Sequence, residues 1–268
     1  MTVARSFLVE RGDVALRVTD CGGDGPPLLL LHGLAGSSRE FLPTADALRD
    51  RFRVVLMDQR GHGESTRRPA DLSRDAFVHD VVALLEHLQP GARWTLVGQS
   101  MGAHTAFLTA AARPDLFAGL VMLEGHAGGI PDPDEANALG EFFATWPTPF
   151  VDEAAARAFL GRGAIVDALI QDLEPTASGL MPRFDGDVMQ RTLEAVHEPR
   201  WREWESLAVP TLVVFGANGM FTAEQQQELI RRRHGTDYVV LNGGGHDAHL
   251  DAFDEWVDVL RAWLSRVR

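Results

Sequence analysis

Cysteine is nearly missing from this chain: Cys21 is the only one in 268 residues. An intrachain disulfide is therefore impossible, and so is a thiolate-bound metal cluster. No apolar run approaches the roughly 18 residues that a membrane-spanning helix needs. No secretory apolar segment is expected in the first residues, which Arg5, Glu10, Arg11 and Asp13 interrupt. There is no internal repeat and no low-complexity tract. A basic surplus is also lacking: the formal net charge is −13, with acidic residues spread along the chain. That sign argues against nucleic acid or an anionic membrane as a partner. The expectation left by these absences is a cytoplasmic protein acting on a small molecule, monomeric or homodimeric, with no nucleic-acid or membrane partner.

What is present is a strong alternation of apolar runs and amphipathic stretches. A hydrophobic content of 45% with 24% charged residues suffices to bury a core, and 268 residues is a common length for one α/β unit. Short runs at 7–9 and 14–18 flank Gly12-Asp13 and read as a hairpin. The continuous apolar run at 28–31 reads as a strand buried on both faces, the runs at 93–97 and 120–123 as buried strands, and those at 54–57, 210–215 and 238–241 as further strands. Helices are expected between them. Ser37 and Glu40 have capping-box spacing for a helix running to about Arg49. Phe77, Val81, Leu84, Leu85 and Leu88 share one helical face that ends at Pro90-Gly91. Thr222 and Gln225 cap another helix through Arg233, and Leu250, Phe253, Val257, Leu260 and Leu264 stripe a last one. The sum is an α/β fold with a mostly parallel eight-stranded sheet flanked by helices.

The alternation stops between residue 125 and about residue 207, starting with Gly128-Gly129-Ile130-Pro131-Asp132-Pro133. Helical segments are expected near 135–145, 152–160, 164–173 and 187–196, with no strong strand. An insertion of about eighty residues is too long for a bare loop. It reads as a helical cap inserted after the sixth strand, dividing the chain into a core of residues 1–128 and 206–268 and a cap of residues 129–205. Phe142, Phe143, Trp146, Phe150, Phe159, Met181, Phe184, Trp201 and Trp204 are expected to form mainly the cap's interior, with a few facing a pocket.

The stretch with chemistry in it is Gly98-Gln99-Ser100-Met101-Gly102. A β-branched strand precedes it and an alanine-rich helix follows it, the context of a nucleophile elbow. A serine in such a turn sits in strained backbone, and the helix N-terminus beneath it offers unpaired N–H groups to an anion. Serine needs a base, itself oriented by a third group. Of ten histidines, His246 follows the last strand on the glycine-rich Gly243-Gly244-Gly245 loop, on the same rim as Ser100. His249 is the second choice, while His79, His87 and His234 read as ordinary helix residues, and His32 as structural. His246 and His249 lack a third ligand of suitable spacing, so no metal is expected. The oxyanion donors are expected to be the backbone N–H groups of Met101 and Leu34.

His32-Gly33, Asp58-Gln59-Arg60-Gly61-His62-Gly63-Glu64-Ser65, Gly98-Gln99-Ser100-Met101-Gly102 and Gly245-His246, in that order, resemble the α/β-hydrolase superfamily over almost the whole chain. The resemblance implies hydrolysis without cofactor. The serine nucleophile argues against the dehalogenase and epoxide hydrolase branches, which use aspartate there. Asp58 and Arg60 read as braces of their turn. One position departs from the family pattern: the loop after the seventh strand reads Gly216-Ala217-Asn218-Gly219, with glycine where the triad acid belongs. Glu124, at the tip of the sixth strand, is expected to replace it, as the resemblance to the haloalkane-dehalogenase branch implies; the alternative is a degenerate triad, a Ser–His dyad with no acid. The expected function is a serine hydrolase cleaving a carboxylic ester, thioester or lactone of a medium-sized hydrophobic molecule through an acyl-enzyme. Two other readings stand beside it: a cofactor-free dioxygenase or C–C bond hydrolase, and a non-catalytic ligand receptor on the same fold.

Overall fold

The computed structural model describes residues 4–129 and 134–267. Ten strands are present among them: β1 (Arg5–Arg11), β2 (Val14–Asp20), β3 (Pro27–Leu31), β4 (Arg53–Met57), β5 (Trp94–Gln99), β6 (Phe117–Leu123), β7 (Glu174–Thr176), β8 (Gly179–Met181), β9 (Thr211–Gly216) and β10 (Asp237–Leu241). Eight of these form one sheet in the order β1-β2-β4-β3-β5-β6-β9-β10. The hairpin β1–β2 and the pair β2–β4 are antiparallel; from β4 to β10 every neighbouring pair is parallel. The inner parallel strands are mainly apolar because helices cover both faces, whereas the edge strand β10 leaves Tyr238 and Val240 exposed. Leu28 to Leu31 and Val54 to Met57 are all buried.

The helices are α1 (Leu42–Leu48), α2 (Arg74–Leu88), α3 (Met101–Ala112), α4 (Asp134–Ala144), α5 (Glu153–Leu160), α6 (Ala164–Asp172), α7 (Gly186–Val196), α8 (Trp201–Glu205), α9 (Ala223–Arg232), α10 (Ala248–Asp251) and α11 (Phe253–Leu264). On one face of the sheet, Phe107 of α3 and Leu84 of α2 pack in one core with Trp94 of β5. On the other, Leu48 of α1 and Trp256 and Leu260 of α11 pack against Val97 and Val214. Each such fully buried apolar side chain contributes about 1.5–3 kcal/mol.

Several local expectations need correction. Ser37 does cap a turn, accepting the Arg39 N–H, but the turn is a short 3-10 segment ahead of α1 and Glu40 takes no part in the cap. Glu40 is instead buried and accepts the Gly33 N–H at 3.2 Å. The last helix is broken at Ala252 into α10 and α11, so Leu250 and Phe253 do not share a continuous stripe. At Thr222 and Gln225 both halves of the capping box are present. His234 lies in the turn after α9 rather than in the helix.

The segment between β6 and β9 carries α4 to α8 and, unexpectedly, the antiparallel pair β7–β8. Residues 130–133 of its opening Gly-Pro stretch lie outside the described residues. Trp146, Phe150 and Phe184 pack together as an apolar centre of this segment. Trp204 does not belong there. It is fully buried in the sheet-side core, edge-on to Phe107, and donates its indole N–H to Leu229 O at 2.9 Å. The two ends of the insertion meet: the Arg200 N–H donates to Ala127 O at 2.7 Å, and Gly129 passes so close to the His197 carbonyl that no Cβ fits.

Asp58 and Arg60 brace their turn in different ways. Asp58 accepts the Ser38 and Glu64 N–H groups at 2.8 and 2.7 Å. Arg60 reaches α2, where its guanidinium forms a bidentate pair with Asp80 at 2.6 and 2.7 Å, both side chains 1% exposed. Breaking a buried pair from one side leaves an uncompensated charge. Asp80→Asn is therefore expected to cost about 3–5 kcal/mol in urea unfolding. Arg60→Met with Asp80→Leu should cost clearly less, and an equal loss in the double variant would show that packing, not charge, dominates.

Candidate active site

Ser100 joins β5 to α3 with φ +53° and ψ −118°, a conformation that L-residues rarely hold. Close packing enforces it. A Cβ on Gly98 would overlap the backbone of Gly102, and one on Gly102 would overlap the Leu31 and His32 carbonyls. The Ser100 N–H donates to Leu123 O at 2.9 Å, anchoring the turn to β6. Met101 is the first residue of α3, so its amide has no carbonyl one turn earlier to bond. Neither it nor the Leu34 amide has a hydrogen-bond partner among the described residues.

Glu124 follows β6 with φ +48°, and its side chain is buried. Oε1 accepts the Gly216 N–H at 2.7 Å; Oε2 accepts the Met220 N–H at 2.9 Å and lies 3.3 Å from His246 Nδ1. The space it fills is the one Gly219 leaves, since a Cβ on Gly219 would overlap the carboxylate. The glutamate on β6 and the glycine after β9 are thus two halves of one arrangement. Ser100, Glu124 and His246, with Leu34 and Met101, line a single cavity of about 780 Å³. Its far wall comes from the insertion, with Leu139, Phe142, Phe143 and Trp146 from the α4 region and Ile165 and Leu169 from α6. Of the aromatics expected inside the insertion, Phe142 is half exposed and Phe159 is exposed as well.

His249 does not line the cavity. It is fully buried, stacked on Phe41 at 4.6 Å between ring centres, with Nε2 3.7 Å from Glu40. Burial, with His246 nearby, pushes its pKa down to about 3. His246 and His249 thus point to different carboxylates, and among the described residues no group of three or more His, Cys, Asp or Glu is placed to hold a metal ion. His32 is buried and structural: Nε2 accepts the Gln59 N–H at 2.9 Å and Nδ1 donates to Gly33 O at 2.7 Å.

Among the other residues of the cavity wall are Glu40, Gln99, His126 and Asp247, to which sequence reasoning assigned no part in the site. Gln99 carries the clearest signal, standing directly before Ser100 in the Gly98–Gly102 turn. Its Nε2 donates to His246 O at 3.0 Å and to Asp247 Oδ1 at 3.3 Å, tying the elbow to the base loop. Burial raises the Glu40 carboxyl well above the usual range and raises Asp247 too. His126 sits between Phe221 and Trp201 with Nδ1 accepting the Gly128 N–H and Nε2 donating to Gln225 O, both at 3.0 Å. Burial keeps its pKa low.

Residues 26–194 match the family model described as the alpha/beta hydrolase fold. The chain is 28% identical over 246 residues to 2-(acetamidomethylene)succinate hydrolase of Mesorhizobium japonicum, covering 89% of this chain and 87% of that protein. It is 28% identical over 257 residues to the sn-1-specific diacylglycerol lipase of Mus musculus, covering 90% and 81%. Among solved structures, E-2-(acetamidomethylene)succinate hydrolase superposes with a TM-score of 0.87 at 24% identity, covering 98% of this chain and 99% of that one. The enol-lactonase from Burkholderia xenovorans LB400 gives 0.80 at 24%, covering 96% and 99%. Both superpositions speak for a shared fold.

Two outcomes follow from the geometry. Gly219→Ala should destabilise the protein by about 1–3 kcal/mol through overpacking. In a Glu124→Gly background, which empties the space, that cost should largely vanish; a denaturant double-mutant cycle with no coupling would separate the two residues. The second concerns His249, whose folded-state pKa lies below the unfolded value of 6.5. As pH falls below 6.5 the unfolded chain takes up the proton first, so stability is lost from there down towards pH 3. Relative to His249→Gln, the wild type should lose about 2 kcal/mol between pH 7 and pH 5, and an unchanged difference would show that the ring is not held neutral.

Proposed function

The chain belongs to the α/β-hydrolase fold family, and on that premise we propose that it is a serine hydrolase cleaving a carboxylic ester, thioester or lactone of a medium-sized hydrophobic molecule. The family and the hydrolase class rest on the matched relatives; the bond cleaved is the proposal. In this reading His246 Nε2 takes the Ser100 hydroxyl proton as Oγ attacks the carbonyl carbon. The negative charge that develops on the carbonyl oxygen is received by the Leu34 and Met101 N–H groups. Collapse expels the alcohol or thiol, which takes the proton from His246. Water, deprotonated by the same ring, then attacks the acyl carbon, and Ser100 Oγ leaves with the proton from His246 as the acid is released. Glu124 fixes the ring through Nδ1–H and stabilises the imidazolium between the two transfers.

The observation that carries the reading is the 3.3 Å approach of Glu124 to His246 on the wall that also holds Ser100 in its strained turn. A carboxylate oriented by two backbone N–H groups is a suitable partner for a histidine that must become cationic and neutral again. The apolar wall supplied by the insertion supports a hydrophobic substrate. The position of the acid after β6 also supports one rival, a cofactor-free dioxygenase in which His246 and Glu124 would deprotonate the substrate.

A fluorophosphonate should label Ser100 covalently, and p-nitrophenyl esters of graded chain length, run beside a lactone panel, should be turned over. Ser100→Ala and His246→Ala should each lose about 10⁴-fold in rate, and Glu124→Gln several orders of magnitude, with folding intact. An unreactive Ser100 in a folded protein, or oxygen consumption with a hydroxylated heteroaromatic substrate, would favour the rivals. Absence of turnover with strong ligand-induced stabilisation would favour a receptor.

A further inference from the structure

The cavity is unusual in its charge. Its described wall contains four carboxyl side chains, Glu40, Glu124, Glu135 and Asp247, and no arginine. Lysine is absent from the entire chain, so each of the 25 basic residues is arginine. Residues 130–133, Ile-Pro-Asp-Pro in sequence, contain no cationic residue either.

The arginines nearest the site are committed elsewhere. Arg74 is buried and stacks on Phe77, where it meets Met101 O and Thr105 Oγ1, and it is not part of the cavity wall. Arg39 pairs with Glu64 and Asp172, and Arg200 with Glu198 and Glu203. The histidines do not replace them. Both ring nitrogens of His126 are engaged, and those of His104 are buried away from solvent. Burial holds both rings in the neutral form, helped at His104 by Arg74 and Arg200.

An acyl chain ending in a carboxylate must lose its water on entering such a space, and beyond the Leu34 and Met101 amides and His246, which the reacting ester engages, the wall holds no group that compensates the charge. Beside Glu40 and Asp247 it also meets like charge or competes for a proton. A chain ending in a methyl group meets Leu139, Phe142 and Leu169 at no such cost. We infer that the site selects by charge, accepting uncharged apolar acyl groups and rejecting acyl groups that carry a carboxylate. The inference rests on the serine hydrolase reading and specifies its substrate.

The test compares three p-nitrophenyl esters of nearly equal length: the heptanoate, the mono-ester of adipic acid, and that same ester with its free carboxylate methylated. The heptanoate should exceed the adipate in kcat/KM by about 10²-fold or more, the order expected for burying an unpaired charge. Methylation should restore most of the loss, which identifies charge rather than size as the cause. Glu135→Arg, at an exposed position on the wall, should narrow the gap by at least about tenfold. Adipate turnover within about threefold of the heptanoate would overturn the inference and leave the hydrolase reading standing. If none of the esters is hydrolysed and a fluorophosphonate leaves Ser100 unlabelled, the hydrolase reading fails, and Ser100→Ala still decides the selection by ligand binding. Thermal stabilisation by the heptanoate and methylated esters but not by the adipate supports it; equal stabilisation by the adipate overturns it.

Discussion

A single carboxylate holds three loops of this protein in register. Glu124 accepts N–H groups from Gly216 and Met220, and its Oε2 meets His246 Nδ1. The loop after β9 and the loop after β10 are thereby both fastened to the end of β6. Charge-assisted bonds to a buried carboxylate are stronger than neutral ones, and leaving such a group unpaired is costly. The loops are therefore not independently adjustable: moving one strands an oxygen that the others also use. Gly219 is the condition for all of this, because any side chain there would stand where the carboxylate stands.

The same strand end explains how strained backbone is tolerated. Ser100 and Glu124 both have positive φ, and each directly follows one of two neighbouring parallel strands. Sheet hydrogen bonding runs one residue past each strand: the Ser100 N–H reaches Leu123 O, and the Glu124 N–H reaches Val214 O, both at 2.9 Å. The last bond of the ladder holds the first irregular residue. Strain of order 1–3 kcal/mol per residue persists only where the surroundings over-determine it, and a central pair of buried strands does so. Gln99, one residue earlier, extends this order sideways to the His246 loop.

The parallel sheet was readable because buried strands are apolar without alternation, and each run from 28–31 to 238–241 appears as a strand within a few residues. Position 219 drew attention to Glu124 because a missing acid is conspicuous against a family pattern, and Glu124 Oε2 lies 3.3 Å from His246 Nδ1. Other features were hidden for definite reasons. The pair β7–β8 has three residues on each side, one of them proline, too short for any periodicity. Glu40 matches a capping box by spacing, but spacing cannot tell a side chain that turns back to its helix from one that turns inward to Gly33. Trp204 lies in sequence with the insertion and in space with Phe107 and Leu229, a distinction only long-range packing makes. His249 and His246 are three residues apart, and the start of α10 turns one into the core and leaves the other at the rim.

The way the insertion leaves and rejoins the sheet bears on how such a protein changes over evolutionary time. Its two stems touch at Ala127 and Arg200, closing the segment like the neck of a bag. Whatever lies beyond the neck can lengthen, shorten or be exchanged without altering the spacing of β6 and β9, because the closure cost of a loop grows only slowly with its length. The strand ends that carry Ser100 and Glu124 and the apolar wall that faces them across the cavity are in that sense separately heritable, and recombination at the neck offers a route by which one sheet acquires another wall.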